Sequence, residues 1–174
     1  MLKDWETFYF MIGSAGAGLI GLLFVVVTLT AGFDRSQTFR GTRLFLTPTA
    51  VDFAVILTVS AVAIAPGLPT QAAAVLFALI ALAGLGFAVR SSIGIWRPPP
   101  PGIEASHWTD FWMYGVVPAA IYAAILASDI VLWFEEPLAP FAIAALLLIL
   151  LLIGIRNAWD LVTWVAPRRK DAAP

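Results

Sequence analysis

The chain has 174 residues, of which 61% are hydrophobic and only 12% charged, whereas soluble domains carry about 25% charged residues; its mean hydropathy of +0.93 predicts an integral membrane protein that has the lipid bilayer as its partner. A net charge of −1 provides no basic face for nucleic acid. The absence of cysteine and the single histidine exclude disulfides, iron–sulfur clusters and thiolate or multi-histidine metal sites, so no cofactor or metal is expected.

Five apolar segments are long enough to cross a bilayer, which requires an α-helix of about 17–25 residues. They are predicted at about residues 5–31, 49–65, 70–96, 107–134 and 138–166. Gly32, Pro98–Pro101 and Pro167 are expected to end the first, third and fifth helices, because glycine favours helix C-termini and proline cannot continue a helix. Pro118 predicts a kink in the fourth helix. The prediction is an all-α integral membrane bundle of five transmembrane helices in a single domain.

An odd number of spans places the two termini on opposite sides of the membrane. The connections and tail on the side of the C-terminus contain nearly all of the basic residues, whereas the opposite side contains only Lys3. Basic residues in short loops stay in the cytoplasm, so the N-terminus is predicted to be outside and the C-terminus cytoplasmic. The basic residues on the cytoplasmic side are Arg35, Arg40, Arg43, Arg90, Arg97, Arg168, Arg169 and Lys170.

The final segment, IGIRNAWDLVTW at 153–164, places three polar residues directly after a long apolar run. With the orientation assigned, counting turns from each helix end predicts that polar residues of four helices share one inner-leaflet layer. We predict this candidate polar cluster to contain Asp52, Arg90, Asp110, Arg156, Asn157 and Asp160. Arg156 and Asp160 are four positions apart and therefore on one face of the fifth helix.

Two interpretations of this cluster remain open. A charge at a helix centre costs roughly 2.5–3.5 kcal/mol, so the residues are expected to neutralise one another in a structural ion-pair cluster. Alternatively, they line a water-filled vestibule, where Arg156 binds an anionic headgroup or solute and Asp52 or Asp160 carries protons or cations.

Asp129 lies apart from this cluster, about one turn from the outer end of the fourth helix. The outer halves of the predicted spans contain no cationic residue to pair with it. Either it reaches water at the membrane surface, or it has a raised pKa and a proton-linked or subunit-contact role.

The first helix contains GSAGAGLIG from Gly13, which puts Gly13, Ala17 and Gly21 on one face at a spacing of four. Small residues at this spacing let a second helix approach to backbone contact. The stripe is therefore predicted to be a helix-packing surface, either within one subunit or between subunits.

Three blocks, FYFMIGSAGAGLIGLLFVVVTL, LFLTPTAVDF and IGIRNAWDLVTW, resemble a group of uncharacterised small polytopic bacterial inner-membrane proteins. The resemblance implies a multi-pass topology in the bacterial inner membrane and implies no activity. The blocks cover about a quarter of the chain.

No catalytic, metal-binding or cofactor-binding residues are expected, because the chain lacks HExxH spacing and a GxSxG elbow. His107 and Asp110 are three positions apart, but two ligands do not make a metal site. The leading interpretation is a non-enzymatic accessory or scaffold protein, with a homo-oligomer or a membrane-protein partner left open. The alternative is an ion, proton or small-anion channel or transporter that uses the inner-leaflet arginine and aspartate cluster.

Overall fold

The computed structural model describes residues 2–30, 45–98 and 107–171, with side chains over 2–28, 45–98 and 107–163. After a 3₁₀ turn at Leu2–Trp5, the described residues form five helices. These are α1 (Glu6–Thr30), α2 (Thr47–Ala63), α3 (Thr70–Trp96), α4 (Trp108–Trp133) and α5 (Leu138–Asp171).

The all-α membrane bundle predicted from the sequence is confirmed. Four helices are long and apolar enough to cross a membrane, and α2, with 17 residues, is shorter. Several sequence predictions fall outside the described residues: the helix end at Gly32, the basic residues of the 31–44 connection, and Pro99–Pro101. The side chains of Arg168, Arg169 and Lys170 also lie outside the described part of the chain.

The structure contradicts the prediction made for Pro167 and shows a specific irregularity beside Pro118. Helix α5 continues through Pro167 to Asp171, so the prediction that this proline ends the helix is wrong. Proline removes one hydrogen bond to the preceding turn, but its fixed φ is helical and allows the residues after it to continue the helix. In α4, Pro118 follows a turn of π-helix at Trp112–Val116, which is the irregularity that the structure places at the predicted kink.

Each helix packs against its neighbours in sequence, and α5 completes the bundle by packing against both α1 and α2. Helices α1 and α2 are antiparallel, because Gly13 contacts Ser60 and Gly16 contacts Phe53. Helices α3 and α4 are antiparallel as well, because Gly84 contacts Tyr122 and Gly115 contacts Ser92. We call the end that contains the starts of α1, α3 and α5 the N-terminal end of the bundle. The opposite end, where α2 and α4 begin, is the C-terminal end.

Glycines make the closest contacts between helices. A Cβ at Gly13 would lie 2.7 Å from Ser60 Cβ of α2, and one at Gly84 would lie 2.5 Å from the Tyr122 ring of α4. Gly115 faces Ser92 and Gly154 faces Phe53 in the same way. Because helices in lipid gain little from hydrophobic exclusion, such backbone-to-side-chain contacts provide packing energy that a larger residue would remove.

The predicted stripe on α1 is only partly correct. Gly13 is buried against α2, but Ala17 and Gly21 are exposed, and no described atom lies within 4 Å of a Cβ built at Gly21. The residue that continues the contact with α2 is Gly16, whose Cβ would lie 3.1 Å from the Phe53 carbonyl oxygen. The helix has small residues on two faces, and spacing alone could not show which face meets α2. Ala17, Gly18 and Gly21 therefore form an open face of α1.

The glycine contacts of α3 can be tested with a matched pair of substitutions. We expect Gly84→Ala to destabilise the bundle by about 1–3 kcal/mol, because the added methyl group overlaps the Tyr122 ring. Gly86→Ala is the control, since nothing described lies within 4 Å of its Cβ, and alanine is a better helix former by about 1 kcal/mol. The measurement is unfolding in mixed detergent and SDS; equal effects of the two substitutions would contradict the assigned packing.

Candidate functional site

The three tyrosines of the chain are buried hydrogen-bond donors between helices. Tyr9 of α1 donates to the carbonyl oxygen of Pro140 in α5 at 3.2 Å. Tyr114 of α4 donates to the carbonyl oxygen of Asn157 in α5 at 2.9 Å. A tyrosine in an apolar interior needs such a partner for its hydroxyl. This role was not predicted from the sequence, although a few tyrosines within otherwise apolar helices are a usable signal for it.

The third tyrosine binds Asp52, the least exposed acid among the described residues. Tyr122 donates to Oδ1 of Asp52 at 2.6 Å, and the Asp52 side chain is only 3% exposed. The Tyr122 ring lies over Gly84, so helices α2, α3 and α4 meet at this residue. A short hydrogen bond to a carboxyl group is among the stronger polar contacts available to a protein interior.

The sequence predicted that Asp52 and Asp110 share one layer, but the structure places them at different depths. Tyr122, the partner of Asp52, is twelve positions after Asp110 on α4, about 18 Å further along the helix at 1.5 Å per residue. The reason is the position of α2: the Phe45 ring, just before α2, packs against Tyr114 at a centroid distance of 5.0 Å. Helix α2 therefore begins well inside the bundle, and counting turns from its own end underestimated the depth of Asp52.

Asn157 is fully buried and compensates for Pro118. In the π-helical turn, the Val117 N–H donates to the Trp112 carbonyl oxygen. In the same pattern, the N–H of residue 118 would donate to the Met113 carbonyl oxygen. Residue 118 is proline, which has no N–H. Asn157 Nδ2 donates instead to the Met113 carbonyl oxygen at 2.9 Å, and the exposed fraction of its side chain is 0%. A buried carbonyl group is thus satisfied from a different helix.

The charged members of the predicted cluster lie at the C-terminal end of the bundle and are more exposed. Arg156 and Asp160 are exposed, and Arg156 Nη1 donates to Asn157 Oδ1 at 3.1 Å. The charges of Asp160 and Arg156 are close enough to Asp110 to interact with it electrostatically. Among the described side chains, none of the predicted cluster residues forms an ion pair within 4 Å.

Two further members have separate roles. Asp110 Oδ2 accepts from the His107 backbone N–H at 2.9 Å, and the His107 ring accepts from the Thr109 N–H, so the pair caps the start of α4. Arg90 is exposed on α3 and has no hydrogen bond to another described side chain. The six residues therefore separate into the buried Asp52, the buried Asn157, the outward-facing Arg90, and a group formed by Asp110, Arg156 and Asp160. We call this last group the C-terminal rim.

Asp129 lies at the other end of the bundle and is not exposed as a surface group would be. Its side chain is 4% exposed, and neither carboxyl oxygen has a hydrogen-bond partner among the described residues. The hydroxyl of Ser60, near the same end, is also buried without a described partner. Tyr9 of α1 lies within electrostatic range of the Asp129 side chain. The burial contradicts the interpretation that Asp129 reaches water at the membrane surface.

The described side chains include no group of three or more histidine, aspartate or glutamate residues arranged to hold a metal ion. Comparisons with protein-family models, curated proteins and solved structures found no match to this chain.

The contact between Tyr122 and Asp52 can be measured with a double-mutant cycle. Tyr122→Phe leaves a buried carboxyl group without its donor and should destabilise the protein by about 1–3 kcal/mol. Asp52→Leu combined with Tyr122→Phe should lose less than the sum of the single changes, because no polar group then remains unsatisfied. Additive effects in SDS unfolding would show that the hydrogen bond contributes nothing.

A second cycle tests the compensation of Pro118 by Asn157. Asn157→Leu should cost about 1–3 kcal/mol by leaving the Met113 carbonyl group unsatisfied. In a Pro118→Ala background the restored N–H supplies a local donor, so the same substitution should cost less. Asp160→Asn is the exposed control on the same helix and should change stability by no more than about 0.5 kcal/mol. An Asn157→Leu effect of equal size in both backgrounds would contradict the assignment.

Proposed function

We propose that this chain is a non-enzymatic integral membrane protein that acts as an accessory or scaffold subunit of a membrane assembly. The observation that carries the proposal is the use of its interior polar groups. Asp52, Asn157 and the three tyrosines are committed to hydrogen bonds between helices. Such contacts fix the mutual positions of helices, and the donors that make them are not available to a substrate.

We further propose that the protein resides in the bacterial inner membrane, with the N-terminal end of the bundle outside and the C-terminal end in the cytoplasm. The support for the orientation is the distribution of lysine and arginine in the sequence. The support for the location is the resemblance of the three sequence blocks to small bacterial inner-membrane proteins.

The open face of α1 is the surface that we assign to a partner helix, in a second copy of the chain or in another membrane protein. Ala17, Gly18 and Gly21 are exposed on it, and no described atom lies within 4 Å of a Cβ built at Gly18 or Gly21. Glycine is a poor helix former, so a lipid-facing helix gains nothing from keeping glycine at these positions. A partner helix that approaches to backbone contact would gain packing energy there.

The second candidate function is transport of an ion, a proton or a small anion, and the C-terminal rim favours it. Asp110, Arg156 and Asp160 lie within electrostatic range of one another, at the end where the charged side chains are exposed. The C-terminal rim is equally consistent with a scaffold protein. Asp110 caps the start of α4, and the basic Arg156 suits an anchor at the membrane surface.

The scaffold proposal is tested by paired substitutions on α1. Gly21→Leu should leave the SDS unfolding curve within about 0.5 kcal/mol of wild type but remove a higher-mass species from native gels of mildly solubilised membranes. Gly13→Leu is the control for internal packing and should lower the yield of folded protein, because its Cβ overlaps Ser60. Native-gel migration that Gly21→Leu leaves unchanged would contradict a role for the open face.

Flux measurements separate the two functions. Protein reconstituted in liposomes should conduct protons, sodium and chloride no faster than empty liposomes. Flux above that level, abolished by Arg156→Gln or Asp160→Asn in folded protein, would contradict the scaffold proposal and favour transport. Both residues are exposed, so their substitution is not expected to unfold the bundle.

A further inference from the structure

Asp129 is the one acid in the described part of the chain that is buried with both oxygens unpartnered. It lies on the face of α4 that points into the bundle, together with Ile121, Tyr122, Ile125 and Leu132. A partner protein cannot reach a side chain that is 4% exposed within its own subunit. Whatever satisfies this carboxyl group must therefore be small.

No described cation is bonded to Asp129: Lys3, the one described cation at that end of the bundle, is exposed in the turn before α1. Helix α1 has Tyr9 within electrostatic range of Asp129, and the Tyr9 hydroxyl already donates to Pro140. The polar residues of α2 toward this end are neutral, since Ser60 is uncharged and Asp52 lies farther along the helix. The sequence of α3 contains no titratable residue before Arg90, and that of α5 contains none before Arg156. Both arginines lie toward the C-terminal end of the bundle. The acids nearest along the chain, Glu135 and Glu136, are exposed and carry the wrong charge.

An ionised carboxylate without a partner is far more costly in a low-dielectric interior than a neutral carboxylic acid. A bound proton removes the charge, requires no coordination shell, and needs no cavity larger than the carboxyl group itself. A sodium ion would need several oxygen ligands, and the described side chains include no second acid grouped with Asp129 in a cluster of three or more aspartate, glutamate or histidine residues. We infer that Asp129 is a proton-binding site: it holds a proton as a neutral carboxylic acid and exchanges it with the aqueous phase at the N-terminal end of the bundle.

The position of Asp129 favours exchange from that end. It is four positions before Trp133, the last residue of α4, so its Cα lies about 6 Å from the helix end. Toward the other end, the buried apolar residue Ile125 lies between it and the Asp52–Tyr122 pair in the interior of the bundle. The proton therefore has a short path to one surface and an apolar barrier toward the other.

Infrared spectroscopy of the protein in bilayers tests the inference directly. The difference spectrum of wild type minus Asp129→Asn should show at neutral pH the C=O stretching band of a protonated carboxyl group, which gives way reversibly to carboxylate bands at alkaline pH. In D₂O the band should shift to lower frequency as the proton exchanges. The corresponding difference for Asp160→Asn, an exposed acid, should show only carboxylate bands.

Three results would overturn the inference. Carboxylate bands alone at neutral pH in the Asp129→Asn difference spectrum would show that the group is ionised. A protonated band that never shifts in D₂O would show that the proton does not exchange. A band that sodium chloride removes at constant pH, where choline chloride does not, would assign the site to a metal cation. Asp129→Leu provides a second difference spectrum with the same expected band, so the assignment does not depend on one variant.

Discussion

Hydrocarbon provides no hydrogen-bond partners, so a polar group inside this bundle must be satisfied by another helix or must be neutral. The described interior follows this constraint except at the Ser60 hydroxyl, which is buried without a described partner. Tyr122 donates to Asp52 across the middle, and Asn157 donates to the carbonyl oxygen that Pro118 leaves without a donor. Near the N-terminal end, Tyr9 donates to Pro140, while Asp129 has no donor and is the group for which neutrality is inferred.

Two kinds of contact divide the work of holding the helices together. Glycines set the close approach of helices: Gly13 and Gly16 between α1 and α2, Gly84 and Gly115 between α3 and α4, and Gly154 between α5 and α2. Tyrosine hydroxyl groups add hydrogen bonds: Tyr9 links α1 to α5, Tyr114 links α4 to α5, and Tyr122 links α4 to α2. Both kinds of contact therefore act between helices that are consecutive in sequence and between helices that are distant in sequence.

Much of the architecture was predictable, because length and hydropathy determine where a transmembrane helix lies. The predicted boundaries at 70–96 and 107–134 agree with α3 and α4 within a residue or two. The depth of a side chain in the bundle and the neighbour that a helix face meets were less predictable. Asp52 was placed too near the C-terminal end because its depth was counted from the end of α2, and that end lies inside the bundle beside Tyr114. Ala17 and Gly21 were assigned to packing because spacing identifies a face but not its neighbour. The lack of a cation near Asp129 was visible in the sequence, whereas its burial was not.

The π-helical turn at Trp112–Val116 has a consequence for the evolution of this chain. Each residue of an α-helix turns the chain by about 100°, so the extra residue of a π turn changes the phase between the segments on either side. In this phase Tyr114 faces α5 while Tyr122 faces α2. Deleting one residue here would restore regular α-helix but rotate one tyrosine away from its partner. We therefore expect homologous chains to vary in loop length more freely than in the length of this helix.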